Sequence, residues 1–99
     1  MNNIVFIMAD QLRADALGFM GKFPVKTPNI DRLAERGTVF RNAYTANPVC
    51  VPARASLMTG VYSYDHGVYY NDRNWPDEMA TLPRQLTENC YYAVHIGKK

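Results

Sequence analysis

The strongest constraint on the fold is the apolar run Asn3–Met8, which reads NIVFIM and lies close to the N-terminus. It contains β-branched residues and has no alternating polar positions, so it predicts a strand that is buried on both faces. Such strands are typical of parallel sheets that carry helices on each side. Because 99 residues suffice for at most one small core, the run predicts an α/β fold organised around this strand.

The rest of the chain predicts helices and strands in alternation. Two further runs are rich in β-branched and aromatic residues and predict strands, Thr38–Tyr44 and Tyr91–Ile96. A short helical turn is expected near Arg13–Leu17. The predicted helices begin at Pro28 after the N-cap Thr27 and end at Gly37, cover Pro52–Met58, and cover Leu82–Glu88 after the N-cap Thr81.

The stretch 47–60 predicts a reactive side chain beside an anion site. Proline suits the start of a helix and glycine suits its end, so Pro52 and Gly60 bound a short helix. Cys50 would then lie at the helix N-terminus, where free N–H groups favour negative charge. Arg54 follows four residues later and adds a fixed positive charge on the same side of the helix.

The residues Cys50-Val51-Pro52-Ala53-Arg54, followed by a small-residue helix ending in Thr59-Gly60, resemble the C-x-P-x-R signature of the type I sulfatases. The resemblance continues in the family's order through Ile7–Gln11, Thr27–Leu33, His66–Val68 with Asn71, and Ile96–Lys98. It implies the N-terminal portion of an alkaline-phosphatase-like three-layer α/β/α sandwich with a mostly parallel sheet. Since sulfatase domains are several times longer, residues 1–99 are interpreted as the N-terminal part of one catalytic domain.

The resemblance implies hydrolysis of a small-molecule or sugar sulfate ester. A maturation enzyme would oxidise Cys50 to formylglycine, whose hydrate attacks sulfur with one hydroxyl and releases sulfate by losing the proton of the other. Arg54 would hold this hydrate. Two alternatives stay open: a phosphonate monoester or phosphodiester hydrolase that uses the same group, and a catalytically incomplete fragment, with these 99 residues inactive by themselves. Taken alone, Cys50 would instead be a small packed hydrophobe.

The resemblance also implies a metal ion and further substrate contacts. Asp10, Gln11 and the formylglycine at position 50 would bind Ca²⁺, or alternatively Mg²⁺ or Mn²⁺, through hard oxygen ligands. Many sulfatases have two acids where this chain has Asp10 and Gln11, so the site loses one negative charge. Lys98 would contact the sulfate as a catalytic residue, the alternative being an exposed terminal lysine. Asn71 would bind substrate or support the site.

The remaining polar residues favour structural roles. His66 is expected to shape its loop through a hydrogen bond, His95 to be packed within a strand, and Cys90 to be structural. The family usually has glycine at position 90, so either Cys90 or Asn89 is expected in the left-handed region. Two cysteines in a chain with no visible signal peptide indicate free thiols.

The composition and the absence of long apolar runs limit which partners and which cellular location are expected. The net charge of +2 and the scattered basic residues do not indicate nucleic-acid binding. No apolar run is long enough to cross a membrane. A cytoplasmic location is the default expectation, and a missing upstream segment would make it periplasmic or secreted. The alcohol part of the substrate is left open.

Overall fold

The computed structural model describes residues 2–97. They contain four α-helices, which are α1 (Pro28–Arg36), α2 (Cys50–Thr59), α3 (Ser63–His66) and α4 (Leu82–Glu88). Two short 3₁₀ helices precede them, at Ala14–Ala16 and Gly18–Met20. The chain divides into two compact units, Met1–Asn42 and Ala43–Lys99. Among the described residues, no helix combines the length and apolar character needed to span a membrane.

Helix α1 lies in the first unit. Its predicted bounds are confirmed, since it starts after Thr27 and stops before Gly37. The Thr27 side chain makes no hydrogen bond to the first turn of the helix. Its Oγ1 instead accepts the Gly18 N–H at 2.7 Å and donates to Asp31 Oδ1 at 2.6 Å. Asp31 Oδ1 also accepts the Phe19 N–H at 3.0 Å. This cluster fixes the second 3₁₀ helix against α1.

None of the three predicted strands, at 3–8, 38–44 and 91–96, is formed within residues 2–97. Their apolar side chains are largely exposed, and Val5 and Ile7 keep 81% and 84% of their accessible surface. A strand is held by hydrogen bonds to neighbouring strands, and one buried on both faces needs helical layers above and below. The apolar pattern specifies burial, but no segment within residues 2–97 supplies the pairing. The strand prediction is therefore wrong for these residues.

Helix α2 begins at Cys50, two residues before the predicted Pro52. Proline is tolerated at its third position because the first N–H groups of a helix have no intrahelical acceptor. The first bond to the preceding turn is made by the Ala53 N–H, which donates to the Val49 carbonyl at 3.0 Å. Gly60 ends the helix with φ 75°, as its sequence position predicts.

A small core lies between α2 and α3. Ala55 on α2 and Val68 after α3 are the buried hydrophobic side chains, with 0% and 1% exposure, and Pro52 is buried as well. Because these side chains are small, the polar contacts described below carry much of the specificity of this packing.

Helix α4 has its predicted bounds, and Thr81 Oγ1 accepts the Arg84 N–H at 3.5 Å. Beyond it, Cys90 has φ 65° whereas Asn89 has φ −104°. Of the two residues expected in the left-handed region, the one found there is Cys90. A side chain with a Cβ costs about 1 kcal/mol in this conformation.

Candidate active site

Cys50 is the first residue of α2, and the extended backbone of Val49 caps the helix before it. The side chain is half-buried and carries a free thiol. The predicted position of Cys50 at a helix N-terminus is confirmed. The partial positive charge of that terminus lies where an anion bound to residue 50 would sit.

Two asparagine side chains hold the backbone on either side of Cys50. Asn47 Oδ1 accepts the Val49 N–H at 2.8 Å, and Asn71 Oδ1 accepts the Val51 N–H at 2.9 Å. The Asn47 amide also donates through Nδ2 to Ser63 Oγ at 3.1 Å. Sequence reasoning selected Asn71 and missed Asn47. The available signal for Asn47 was its position three residues before a helix, where side-chain caps and Asx turns are common.

These contacts account for most of the first-turn amides of α2. The Val51 N–H is bound by Asn71, Pro52 has no N–H, and the Ala53 N–H bonds the Val49 carbonyl. Within residues 2–97, the Cys50 N–H has no hydrogen-bond acceptor. The arrangement therefore leaves one backbone donor, the Cys50 N–H, at the start of α2.

Arg54 lies one helical turn further along α2 and is half-buried. Residues four apart on a helix share a face, so the guanidinium belongs to the same side of α2 as Cys50. A permanently charged planar group suits an oxyanion.

His66 has the structural role that the sequence predicts. Its side chain is only 2% exposed, and Nδ1 accepts the Val68 N–H at 3.1 Å. Because Nδ1 is an acceptor, the neutral ring carries its proton on Nε2, which donates to Ser56 Oγ at 2.9 Å. A ring that donates to a hydroxyl cannot also take its proton, so this pair is not a Ser–His nucleophile. His95 is exposed, and the prediction that it is packed is wrong.

Asp10 and Gln11 belong to the first unit and are both exposed. Gln11 has φ 53°, a left-handed conformation that is unusual for a residue other than glycine and recurs at functional sites. Carboxylate and amide oxygens fit a hard divalent cation, but two donors do not complete its shell of six or so. Residues 2–97 bring together no group of three or more His, Cys, Asp or Glu side chains. Lys98 lies outside the described residues.

A charged cluster follows Asp10 and Gln11 in the chain. Asp15 accepts two hydrogen bonds from Arg13, at 3.0 and 2.8 Å, and lies 3.0 Å from Lys22 Nζ. Hydrogen bonds from these two cations lower the pKa of Asp15 to about 2, and the same contact raises the pKa of Arg13. Both cations also lie over the Phe23 ring, at 5.5 and 5.9 Å from its centroid.

Comparison with known proteins shows the family of the chain. The Sulfatase family model matches residues 2–99, so the chain belongs to the sulfatase family. Membership implies an alkaline-phosphatase-like α/β fold for the domain, although residues 2–97 of this structure contain helices without strands.

Several curated sulfatases are similar to almost the whole chain. An ulvan-active sulfatase of Formosa agariphila is 42% identical over 96 residues, and an arylsulfatase of Clostridium perfringens is 44% identical over 98 residues. An N-acetylglucosamine-6-O-sulfatase of Bacteroides thetaiotaomicron is 34% identical over 96 residues. Each match covers 97% of this chain but only 17–20% of the relative, so the chain spans about a fifth of their length. No solved structure gives a significant match.

Proposed function

We propose that this chain carries the nucleophile of a sulfatase that hydrolyses a sulfate monoester at Cys50. The observation that carries the proposal is the position of Cys50, at the first residue of α2 with its own N–H available, in a chain that matches the Sulfatase family from residue 2 to residue 99. The names of the relatives support the reaction class. The substrate class proposed is a sulfate ester of a sugar or of a small alcohol.

Conversion of Cys50 to formylglycine, followed by addition of water to the aldehyde, would supply a carbon with two hydroxyls, one for attack and one for release. The residues around it have separate tasks. The N-terminus of α2 and the Cys50 N–H would stabilise negative charge that develops on the sulfate oxygens. Arg54 would hold the formylglycine in place and neutralise charge beside it. The proposed partner that makes this conversion is a maturation enzyme.

A divalent cation is proposed as the second cofactor, with Ca²⁺ preferred over Mg²⁺ and Mn²⁺. Asp10, Gln11 and the oxygen of formylglycine 50 would be its ligands from this chain, and the ion would polarise the sulfate oxygens. Lys98 is proposed to contact the sulfate, and Asn71 to contact the substrate or support the site. Residues 1–99 would form the N-terminal portion of a three-layer α/β/α domain with a mostly parallel sheet.

The test is made on the full-length polypeptide that contains these residues, co-expressed with a formylglycine-generating enzyme. Mass spectrometry of the tryptic peptide containing Cys50 is expected to show the lower mass of the aldehyde, and alkylation is expected to miss this position. Cys50→Ala should abolish both conversion and hydrolysis of an aryl sulfate. Cys90→Gly, a change at the other free thiol, should leave conversion intact.

Two results would overturn the proposal. One is full hydrolysis of sulfate esters while the Cys50 thiol stays intact. The other is a converted protein that turns over matched phosphonate and phosphate esters faster than the sulfate. That result would show that the proposed sulfate substrate is wrong, while the proposed formylglycine nucleophile would still stand.

A further inference from the structure

The amides on the two sides of Cys50 are both bound by asparagine carbonyl oxygens, those of Asn47 and Asn71. We propose that this asparagine bracket, Asn47 and Asn71, positions residue 50 for reaction. The inference rests on the proposed function, because it concerns the orientation of the nucleophile in that reaction. It assigns Asn71 a backbone partner rather than the substrate, and it adds Asn47 to the site.

The first turn of a helix is where such support has most effect. Backbone groups there lack the bonds to a preceding turn that fix the rest of the helix, so the turn frays unless side chains hold it. Cys50 is the first residue of α2 and precedes its first intrahelical bond. Without other contacts, its side chain would be carried on the least constrained part of the helix.

The bracket supplies those contacts from two directions. Asn47 lies before the helix and is tied in turn to the buried Ser63 of α3 through Nδ2. Asn71 lies twenty residues beyond Val51 and brings the loop after α3 back to the start of α2. Residue 50 is thus fixed by a neighbour on each side, and each neighbour is held by a different part of the unit.

This geometry favours a positioning role for Asn71 over a purely substrate-binding one. Its Oδ1 accepts the Val51 N–H, and a sulfate offers only acceptor oxygens, so a contact with the substrate would be made by Nδ2. A nucleophile held in a productive orientation raises kcat, and small displacements are costly. A group that binds the substrate equally in the ground state and the transition state changes KM instead. The two roles therefore predict different kinetic effects.

The test uses the full-length polypeptide that contains these residues, with Asn47→Ala and Asn71→Ala, and with the conservative changes Asn47→Asp and Asn71→Asp. Aspartate keeps an acceptor oxygen at the same position. The matched control is Asn89→Ala, which removes an asparagine-to-backbone bond of 2.8 Å at the end of α4. Amide hydrogen exchange by NMR reports on the bracket, and kcat and KM of the formylglycine protein report on its use.

We expect exchange of the Val51 amide to be about fivefold faster in Asn71→Ala, and that of Val49 similarly faster in Asn47→Ala. Each alanine variant should lower kcat about tenfold with KM little changed. The aspartate variants should restore amide protection and most of kcat, while Asn71→Asp raises KM because its charge repels an anionic substrate. Asn89→Ala should alter none of these values.

Unchanged exchange rates of the Val49 and Val51 amides in the alanine variants would show that the asparagine bracket does not hold this turn. An effect confined to KM, or a loss of kcat that Asn89→Ala reproduces, would overturn its positioning role. If the wild-type protein never acquires formylglycine or never turns over a sulfate ester, the proposed function fails and the catalytic part of this inference fails with it. The exchange rates then still decide whether the two asparagines hold the turn.

Discussion

Ser56 Oγ and His66 Nε2 lie 2.9 Å apart and form a buried hydrogen bond between α2 and α3. The ring is held on its other side by the Val68 N–H. Both groups are almost inaccessible to water, so neither can replace a lost partner with solvent. The helix that carries Cys50 is therefore fixed to its neighbour by a polar contact in a place where few apolar side chains are available.

Removal of the His66 ring should destabilise the second unit. His66→Ala leaves the Ser56 hydroxyl and the Val68 N–H without partners and opens a cavity, so we expect a loss of about 2–4 kcal/mol in the free energy of unfolding. Ser56→Ala should cost about 1–2 kcal/mol. Native-state hydrogen exchange of the α2 amides measures both, and the double variant should cost less than the sum.

The exposed His95 provides the control, since His95→Ala should change the free energy of unfolding by less than about 0.5 kcal/mol. Equal losses in His66→Ala and His95→Ala would contradict the role given to the buried ring.

A side chain at Gly18 should disrupt the first unit. A Cβ added there would lie 2.5 Å from Asp31 Oδ2 and 3.1 Å from Thr27 Oγ1. The Asp31 carboxylate is short and is held by Thr27 and Phe19, so it cannot move aside without breaking those bonds. We expect Gly18→Ala to cost about 1–3 kcal/mol, measured by exchange of the Phe19 amide.

The same substitution in an Asp31→Ala background tests the cause. With the carboxylate gone, the added methyl group should cost much less, and the two changes should be strongly non-additive. A penalty of the same size in both backgrounds would show that the clash with Asp31 is not responsible.

The helices were predictable because their signals are local. Thr27-Pro28 and Thr81-Leu82-Pro83 start helices in the structure at the residues where the sequence predicts them. Gly60 ends α2 by the same kind of local rule. The predicted start of α2 was two residues too late, because proline is acceptable throughout the first turn and its position alone does not select one starting residue.

The strand predictions were wrong because a strand depends on pairing partners that are distant in sequence. The run at 3–8 has the composition of a strand buried on both faces, and that pattern carries no information about which segment pairs with it. In residues 2–97 nothing pairs with it, and Ile7 is 84% exposed. The family fold supplies a sheet, whereas this chain covers about a fifth of the length of its relatives.

In the candidate site, too, local relationships were predictable from the sequence and long-range contacts were not. Cys50 and Arg54 were found because they are four residues apart on one short helix, a local relationship. Asn47 was missed because its role depends on Ser63, sixteen residues away, and on the turn in which its Oδ1 accepts the Val49 N–H. The contact between Asn71 and Val51 joins residues twenty apart, so the sequence could select Asn71 but not its partner.

Replacement of Cys90 by glycine should stabilise the end of α4. Cys90 has φ 65°, a conformation that glycine adopts without steric cost. We expect Cys90→Gly to add about 1 kcal/mol to local stability, seen as slower exchange of the Tyr91 amide, which bonds the Leu86 carbonyl at 3.0 Å. Cys90→Ala keeps the Cβ and serves as the control, with no gain expected. A gain of equal size in both variants would assign the effect to loss of the thiol instead.

The charges around Asp15 should make the first unit sensitive to acid. The hydrogen bonds from Arg13 and Lys22 lower the pKa of Asp15 from its usual 3.8 to about 2. A carboxylate with a lowered pKa in the folded state stabilises the fold above pH 3.8, and that contribution is lost as the pH falls toward 2. NMR titration of the Asp15 carboxyl carbon checks the value directly. Arg13→Gln should raise the pKa of Asp15 more than Lys22→Gln does, because Arg13 makes the larger contribution. A midpoint near 3.8 in the unsubstituted chain would show that the cluster does not form in solution.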